Sequence, residues 1–389
     1  MATARAVNAS DPFLLEWRKD TANPIDFGGG PGCSFPSGVW WNEQRGHFNL
    51  LSQGWRFSTN DTALHRWTRA PDRMMPYGER GGQWFLPIPT TPDGTPPAAA
   101  AAGGATHLVS TGGGNRFAFG VYDPSNESWA PVKTKGAALN GRTDDGPSAN
   151  WMVGQFAGRR MMNIGWATGS KPMENFPNDG GYLTLLREVH FENGFGLVAN
   201  PVEELAGLRN GSLANATAVT IAPNSTHYLS GTGGGAAASA DVLVSFAVAG
   251  TGQPSQDFGA CVLSEADRST GVGVGVSLAP NRGGGFKADV IIAPCGNATV
   301  GFRPSHGWGS TTFTLLPGET TVDIRIVVDR SIVEAFVMGG RGVLTKTVHD
   351  SIDTNVLLFS GSGAVAKSAE VWSMGCGWDP VPYTDSPSL

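Results

Sequence analysis

Charge is scarce in this chain. Only 15% of its 389 residues are Asp, Glu, Lys or Arg, and 27 Lys plus Arg against 33 Asp plus Glu leave a net charge of −6. A nucleic-acid binder needs a basic face, and this balance supplies none. No apolar run reaches the roughly 18 residues that read as a membrane-spanning helix. The N-terminus, Met1 to Ser10, lacks the apolar stretch of a signal peptide. Cysteine is limited to Cys33, Cys261, Cys295 and Cys376, none of them in CxxC spacing, which argues against zinc. The seven histidines are scattered, and no Gly-rich run has the strand-to-helix context of a phosphate loop. Neither a metal nor a cofactor is expected.

Glycine and proline, by contrast, are abundant, at 55 and 26 residues. Both disfavour long helices and suit many short strands joined by tight turns, so the chain reads as all-β. Val39 to Trp41 and His47 to Leu51 flank a turn at residues 42–46 and read as a hairpin. Phe117 to Tyr122, followed by a turn at Asp123-Pro-Ser-Asn126, and Arg160 to Trp166 read as further strands. Strand pairs recurring every few tens of residues, with Trp near their ends, have the spacing of propeller blades. After Ala240 the character changes. Val242 to Val248, Val290 to Ala293, Val322 to Val328 and Val356 to Phe359 are strand-length runs at sandwich spacing. Two domains are expected, a propeller over 1–204 and a sandwich over 205–389. The segments 95–104 and 230–239 are low-complexity stretches, the first a surface loop between strands.

Seven Asn-x-Ser/Thr sequons occur, at Asn8, Asn60, Asn126, Asn210, Asn215, Asn224 and Asn297. With 20 Asn in the chain, chance gives about three, so the excess points to a glycosylated protein of the secretory route. One or two disulfides would suit that compartment. Asn210, Asn215 and Asn224 fall within 15 residues, and this stretch is expected to be an exposed connector.

The most specific motif is Asp329-Arg-Ser-Ile-Val-Glu-Ala-Phe336, with Gly339-Gly-Arg341 and Val343-Leu-Thr345 behind it. It reads as a strand, a Gly turn and a return strand. It resembles the signature hairpin in the C-terminal β-sandwich of glycoside hydrolase family 32, the invertases and fructan hydrolases. Asn8 to Trp17 with Asn23-Pro-Ile25, Ser58 to Trp67, Asp145-Gly146, Gly165-Trp166, Arg187-Glu-Val189, Pro201 to Leu205 and Val371 to Met374 agree with that family in order and spacing. The resemblance covers nearly the whole chain and is closest to plant-type members. It implies an incomplete five-bladed-type β-propeller, lacking its first blade, followed by a β-sandwich. It also implies a disulfide between Cys261 and Cys295, where plant-type members pair two cysteines.

The same resemblance implies three catalytic acids, and this sequence departs from all three. Retaining glycoside hydrolysis needs two carboxyl groups about 5–5.5 Å apart, one as nucleophile and one as acid/base. The family's nucleophile lies in an Asn-Asp-Pro motif of the first blade. The resemblance starts downstream of that blade, and no Asn-Asp-Pro occurs in the chain. The Arg-Asp-Pro site corresponds to Cys33-Ser-Phe-Pro-Ser-Gly-Val-Trp40, with Phe35 at the Asp. The Glu-Cys site corresponds to Gly82-Gln-Trp-Phe-Leu-Pro-Ile-Pro89, with Phe85 at the Glu. Phe neither ionises nor forms a glycosyl ester.

Trp40, Trp41, Trp55 and Trp84 belong to strands nearest the family's substrate pocket. Each is either a surviving sugar contact or ordinary blade packing. Asp144, Asp145, Glu174 and Asp179 are the remaining candidate acids in the propeller half, the first two read as an Asp-rich turn and the last two as a solvated loop unless the centre has been rebuilt. Glu334 is the acid most embedded in a motif, and reads as a hydrogen-bonded structural carboxylate of the sandwich. The expected function is a non-catalytic, family-32-like glycoprotein that binds carbohydrate or serves as a structural subunit. A protein partner would then cover the blade edge left open by a missing first blade. The expected location is extracellular, cell wall, or a vacuole or lumen. The alternatives are an active β-fructofuranosidase with replaced or partner-supplied acids, and an incomplete product with no independent role.

Overall fold

A computed structural model describes residues 4–8, 10, 16–21, 39–52, 54–74, 84–98, 103–111, 116–132, 140–142, 148–155, 160–167, 182–233, 236–250, 255–265, 271–281, 284–296, 308–348 and 354–375. Strand follows strand along them, and every described sheet pairing is antiparallel where its register is given. Strands β1 (Ala4–Ala6) and β2 (Trp17–Lys19) form a two-stranded ladder. Strands β3 (Val39–Asn42), β4 (His47–Ser52), β5 (Trp55–Thr59) and β6 (Thr68–Arg73) form a four-stranded meander in chain order. The expected hairpin is its first turn, with Trp41 opposite Phe48 and Asn42 opposite His47.

Strands β7 (Trp84–Pro87), β8 (His107–Thr111), β9 (Arg116–Asp123) and β10 (Ser128–Pro131) make a second meander. Strand β11 (Asn140–Arg142) pairs the start of β9, while β10 pairs its end. Strands β12 (Ser148–Gln155), β13 (Met161–Ala167), β14 (Tyr182–Leu183), β15 (Arg187–Glu192) and β16 (Gly196–Pro201) belong to a third sheet, in the order β12-β13-β15-β16 with β14 on β13. Sequential antiparallel meanders are the form of propeller blades.

Each blade buries what its period-2 pattern turns inward. In β4, Leu50 packs with Phe57 and Trp67 on one face, and Leu51 packs on the other with Phe85, Val109, Tyr122 and Trp129. The second cluster joins the first meander to the second. Gly120 is required there, because a Cβ on it would sit 2.3 Å from the Trp129 ring.

Twelve strands are described in the C-terminal half: β17 (Arg209–Ile221), β18 (Ser225–Tyr228), β19 (Ser239–Ala247), β20 (Gln256–Ser264), β21 (Val272–Pro280), β22 (Phe286–Pro294), β23 (Gly309–Thr314), β24 (Thr321–Asp329), β25 (Ile332–Val337), β26 (Gly342–Thr347), β27 (Asn355–Ser360) and β28 (Ala364–Met374). One six-stranded sheet runs β17-β28-β19-β24-β25-β26 and the other β18-β27-β20-β21-β22-β23. This is a β-sandwich. Its core is filled from both sheets, with Phe246 of β19 stacked on Phe258 of β20 at 4.6 Å. The stretch carrying Asn210 and Asn215 corrects the expectation of a connector: it is β17, thirteen residues long and paired along β28. Its small, polar composition is extended by that pairing rather than by intrinsic propensity.

Contacts divide the chain into two compact units. One comprises 1–143, 149–163 and 189–197, and the other comprises 144–148, 164–188 and 198–389.

Candidate functional site

The residue that the sequence resemblance sets at the family's acid/base position lies among the described residues. Phe85, on β7, is 3% exposed. Its ring lies parallel to the His107 imidazole at 4.8 Å, edge-on to Tyr122 at 4.9 Å and tilted against Trp40 at 4.8 Å. His107 in turn meets Tyr122 edge-on at 5.0 Å. Strand alternation creates this cage: Trp40 projects from the face of β3 that also carries Leu51 of β4, and Phe85 reaches the same cluster. Burial pushes the His107 imidazole down to about 4, so it is neutral at ordinary pH. Burial likewise pushes the Tyr122 phenol up. Phe85 and the three rings around it, Trp40, His107 and Tyr122, bring no carboxyl group to this position.

A buried carboxylate lies nearby, and sequence reasoning missed it. Glu127 occupies the turn between β9 and β10 with φ +57 and is 7% exposed. Its Oε1 accepts from Asn42 Nδ2 at 2.9 Å, Asn49 Nδ2 at 3.0 Å and His47 Nε2 at 2.6 Å, and its Oε2 pairs with Arg56 Nη1 at 2.7 Å. Asn42, His47, Asn49 and Arg56 share one face of the β3–β6 meander. Burial pushes the Glu127 carboxyl up, but the bonds from Asn49, His47 and Asn42 and the Arg56 charge outweigh it and hold it below its ordinary value. Both oxygens are engaged, so this carboxylate ties the β9–β10 turn to the first meander. Its partners lie about eighty residues away in sequence, so no local motif could have announced it.

The structure separates the four tryptophans. Trp40 joins the Phe85 cage. Trp41 points to the opposite face, packs edge-on to Phe48 and is 47% exposed. Trp55 shares that second face, where the Arg69 and Arg73 guanidiniums lie 4.6 and 5.2 Å from its ring centre. Trp84 lies on β7 directly before Phe85. Phe35, Asp144, Asp145, Glu174, Asp179, Asn297, Cys33 and Cys376 lie outside the described residues. Among the described residues, no group of three His, Cys, Asp or Glu is placed to hold a metal ion.

In the sandwich, Cys261 and Cys295 are joined in a disulfide with Cα atoms 5.7 Å apart, buried beside Leu357 and Phe359. Glu334 is indeed a hydrogen-bonded structural carboxylate. It is 2% exposed, accepts from the Leu185 backbone N–H at 2.6 Å and from Arg187 Nε at 3.2 Å, and forms a further close pair with Arg187 Nη2. The same Nη2 donates to Thr345 Oγ1 at 2.8 Å. The Gly turn after β25 fits closely, since a Cβ on Gly340, at φ +86, would sit 2.3 Å from the Ala199 carbonyl oxygen.

These features define a class by architecture, propeller-type meanders followed by a β-sandwich. The family model described as "Glycosyl hydrolases family 32 C terminal" matches residues 204–373. A β-fructofuranosidase of Arabidopsis thaliana, insoluble isoenzyme CWINV6, is 24% identical over 95% of this chain and 76% of that protein. The levanase of Bacillus subtilis is 26% identical over 94% of this chain, which spans only about half (54%) of that protein. Fructan 1-exohydrolase IIa from Cichorium intybus shares the fold, with a TM-score of 0.76 at 20% identity, covering 96% of this chain and 78% of that one. So does exo-inulinase from Aspergillus awamori, at 0.64 and 17%, covering 94% and 73%. The C-terminal sandwich is a glycoside hydrolase family 32 C-terminal domain, and the likeness to glycoside hydrolase family 32 runs over nearly the whole chain.

Proposed function

We propose that this protein is a non-catalytic member of the family-32 lineage, a glycoprotein of the secretory route that binds carbohydrate or serves as a structural subunit. The observation that carries this reading is Phe85. At the position matching the acid/base Glu, it is 3% exposed and enclosed by Trp40, His107 and Tyr122. A carbohydrate ligand is supported by the relatives, one of which is described in complex with 1-kestose. Trp41, 47% exposed, is the aromatic face we assign to it, with Trp40, Trp55, Trp84, Asp144 and Asp145 as further candidates. The subunit role is supported by Val39 and Trp41, 40% and 47% exposed side by side on one face of the first meander. A protein partner of this face would bury both. The domain division we adopt is 1–204 and 205–389.

The secretory reading rests on the sequon excess and the buried disulfide. Asn60, Asn126, Asn210, Asn215 and Asn224 are all exposed, as glycan attachment requires. Extracellular space, cell wall and vacuole or lumen all fit.

The second reading, an active β-fructofuranosidase, is favoured by the names of the relatives, which are hydrolases matched over some 95% of this chain. Assays of fructose release from sucrose and inulin decide between the two. Enzyme-like turnover overturns the first reading, and none at high protein concentration overturns the second.

A further inference from the structure

We propose that N-linked glycans at Asn210 and Asn215 shield the open edge of the sandwich. This rests on the secretory reading above and goes beyond it by giving two particular glycans a task. Strand β17 is the outermost strand of its sheet, and among the described strands its ladder partner is β28 alone. It is thirteen residues long, against a usual strand of about five or six. Such an edge presents unpaired N–H and C=O groups to any other chain, and proteins ordinarily blunt it with Lys, Pro, an inward charge or a covering segment.

Those devices are nearly missing here. Between Arg209 and Ile221 there is no Lys, Asp, Glu or Pro. Arg209, the one charge, is committed to Asp241 through Nε at 3.0 Å and Nη2 at 2.7 Å. Cover is local: Gly231 comes up against the Leu213 carbonyl, and a Cβ on it would sit 2.4 Å from that oxygen. Register shifts at 209/211 and 212/214 and a left-handed Ala218 bend the strand without charging it. Residues 215–218 and 220 nonetheless remain exposed or half-exposed. By contrast β26, at the far edge of the same sheet, carries Lys346.

Asn210 and Asn215 bracket the strand's first half, and both are exposed. Asn224 lies just beyond, exposed and at φ +54. The sequons Asn210-Gly-Ser212 and Asn215-Ala-Thr217 lie wholly within β17. Transfer from a lipid-diphosphate-linked oligosaccharide would form a bond from the Asn amide nitrogen to sugar C1. The C1–O bond to the diphosphate breaks, the lipid diphosphate leaves with the electron pair, and one amide proton is lost. A branched, hydrated glycan at each site would exclude a second chain from the edge sterically, where other proteins use charge.

The test uses the full chain secreted from a eukaryotic host, with glycopeptide mass spectrometry and light scattering on the same samples. The expected result is occupancy at Asn210 and Asn215, with Ser212→Ala/Thr217→Ala giving at least about tenfold more high-mass species than wild type. A Thr62→Ala/Ser128→Ala control, which removes the sequons at Asn60 and Asn126, should stay monomeric. Ser212→Ala/Asn215→Lys also lacks both β17 glycans but adds an edge charge, and should stay monomeric as well. Occupied sites with a monomeric Ser212→Ala/Thr217→Ala variant overturn the shield, as does aggregation of the Asn215→Lys form to the same extent. Glycan at Asn60 or Asn126 with bare Asn210 and Asn215 overturns the shield and leaves the secretory reading standing. Bare asparagines throughout overturn both.

Discussion

Replacing Glu334 with Gln should be far more damaging than its near-identical shape suggests. The carboxylate is 2% exposed and its partner Arg187 is fully buried, so neither can turn to water. One Glu334 oxygen accepts from the Leu185 N–H and the other from the Arg187 guanidinium. An amide keeps one oxygen and puts an NH2 on the other side. Whichever way it flips, one donor then faces another donor, and the guanidinium loses its counter-charge. Breaking one partner of a buried pair costs about 3–5 kcal/mol. For a unit of this size, roughly 2–4 °C of melting temperature accompany each kcal/mol, giving a fall of about 6–20 °C. The assay is calorimetric melting of Glu334→Gln against wild type at neutral pH. Arg187→Met combined with Glu334→Leu should recover most of the loss, because an apolar pair of similar volume restores a dry core without stranded charge. A Glu334→Gln loss below about 1 kcal/mol, or a double variant no better than the singles, refutes the reasoning.

The Glu127 carboxyl titrates below its ordinary value of 4.5 in the folded state, so its stabilising contribution is present above that value and is lost as pH falls through the lower, folded one. Glu127→Gln should therefore flatten the acid limb of the stability-versus-pH curve, measured by denaturant titration between pH 6 and pH 3. His107 takes up its proton at about 4 when folded but at 6.5 when unfolded. Stability should thus fall as pH drops from about 6.5 to about 4, and the imidazole NMR titration should show a midpoint near 4 that Phe85→Ala raises. The Cys261–Cys295 bridge closes 34 residues, worth about 4 kcal/mol in the loop-entropy picture, so Cys261→Ser/Cys295→Ser should lower the denaturation midpoint of the sandwich. Being buried, the bridge should also resist reductant until the sandwich unfolds.

The parts of this fold visible in the sequence are those whose signal is local. The β3–β4 hairpin follows from alternating apolar residues around a five-residue turn, and β25–β26 from a β-branched run broken by Gly339-Gly340. Strand β17 was not visible, because Asn-Gly-Ser-Leu-Ala-Asn-Ala-Thr carries loop chemistry, and only pairing with β28, some 150 residues onward, extends it. The Glu127 cluster was hidden for the same reason. Its five side chains come from β3, β4, β5 and the β9–β10 turn, and no spacing rule connects them. Glu334 was legible as a structural acid from its motif, but its partner Arg187, 147 residues earlier, was not. At the candidate site, Phe85 could be placed by resemblance. Its enclosure by His107 and Tyr122, both on the far side of a low-complexity stretch, could not.

Sucrose and inulin hydrolysis by the purified full chain at pH 4–7, with sugar binding followed by calorimetry on the same sample, tests the central claim most directly. The account predicts no fructose release above the buffer rate at any pH in that range. Fructose released at enzyme-like rates would contradict it and place working carboxylates where Phe85 and its cage allow none.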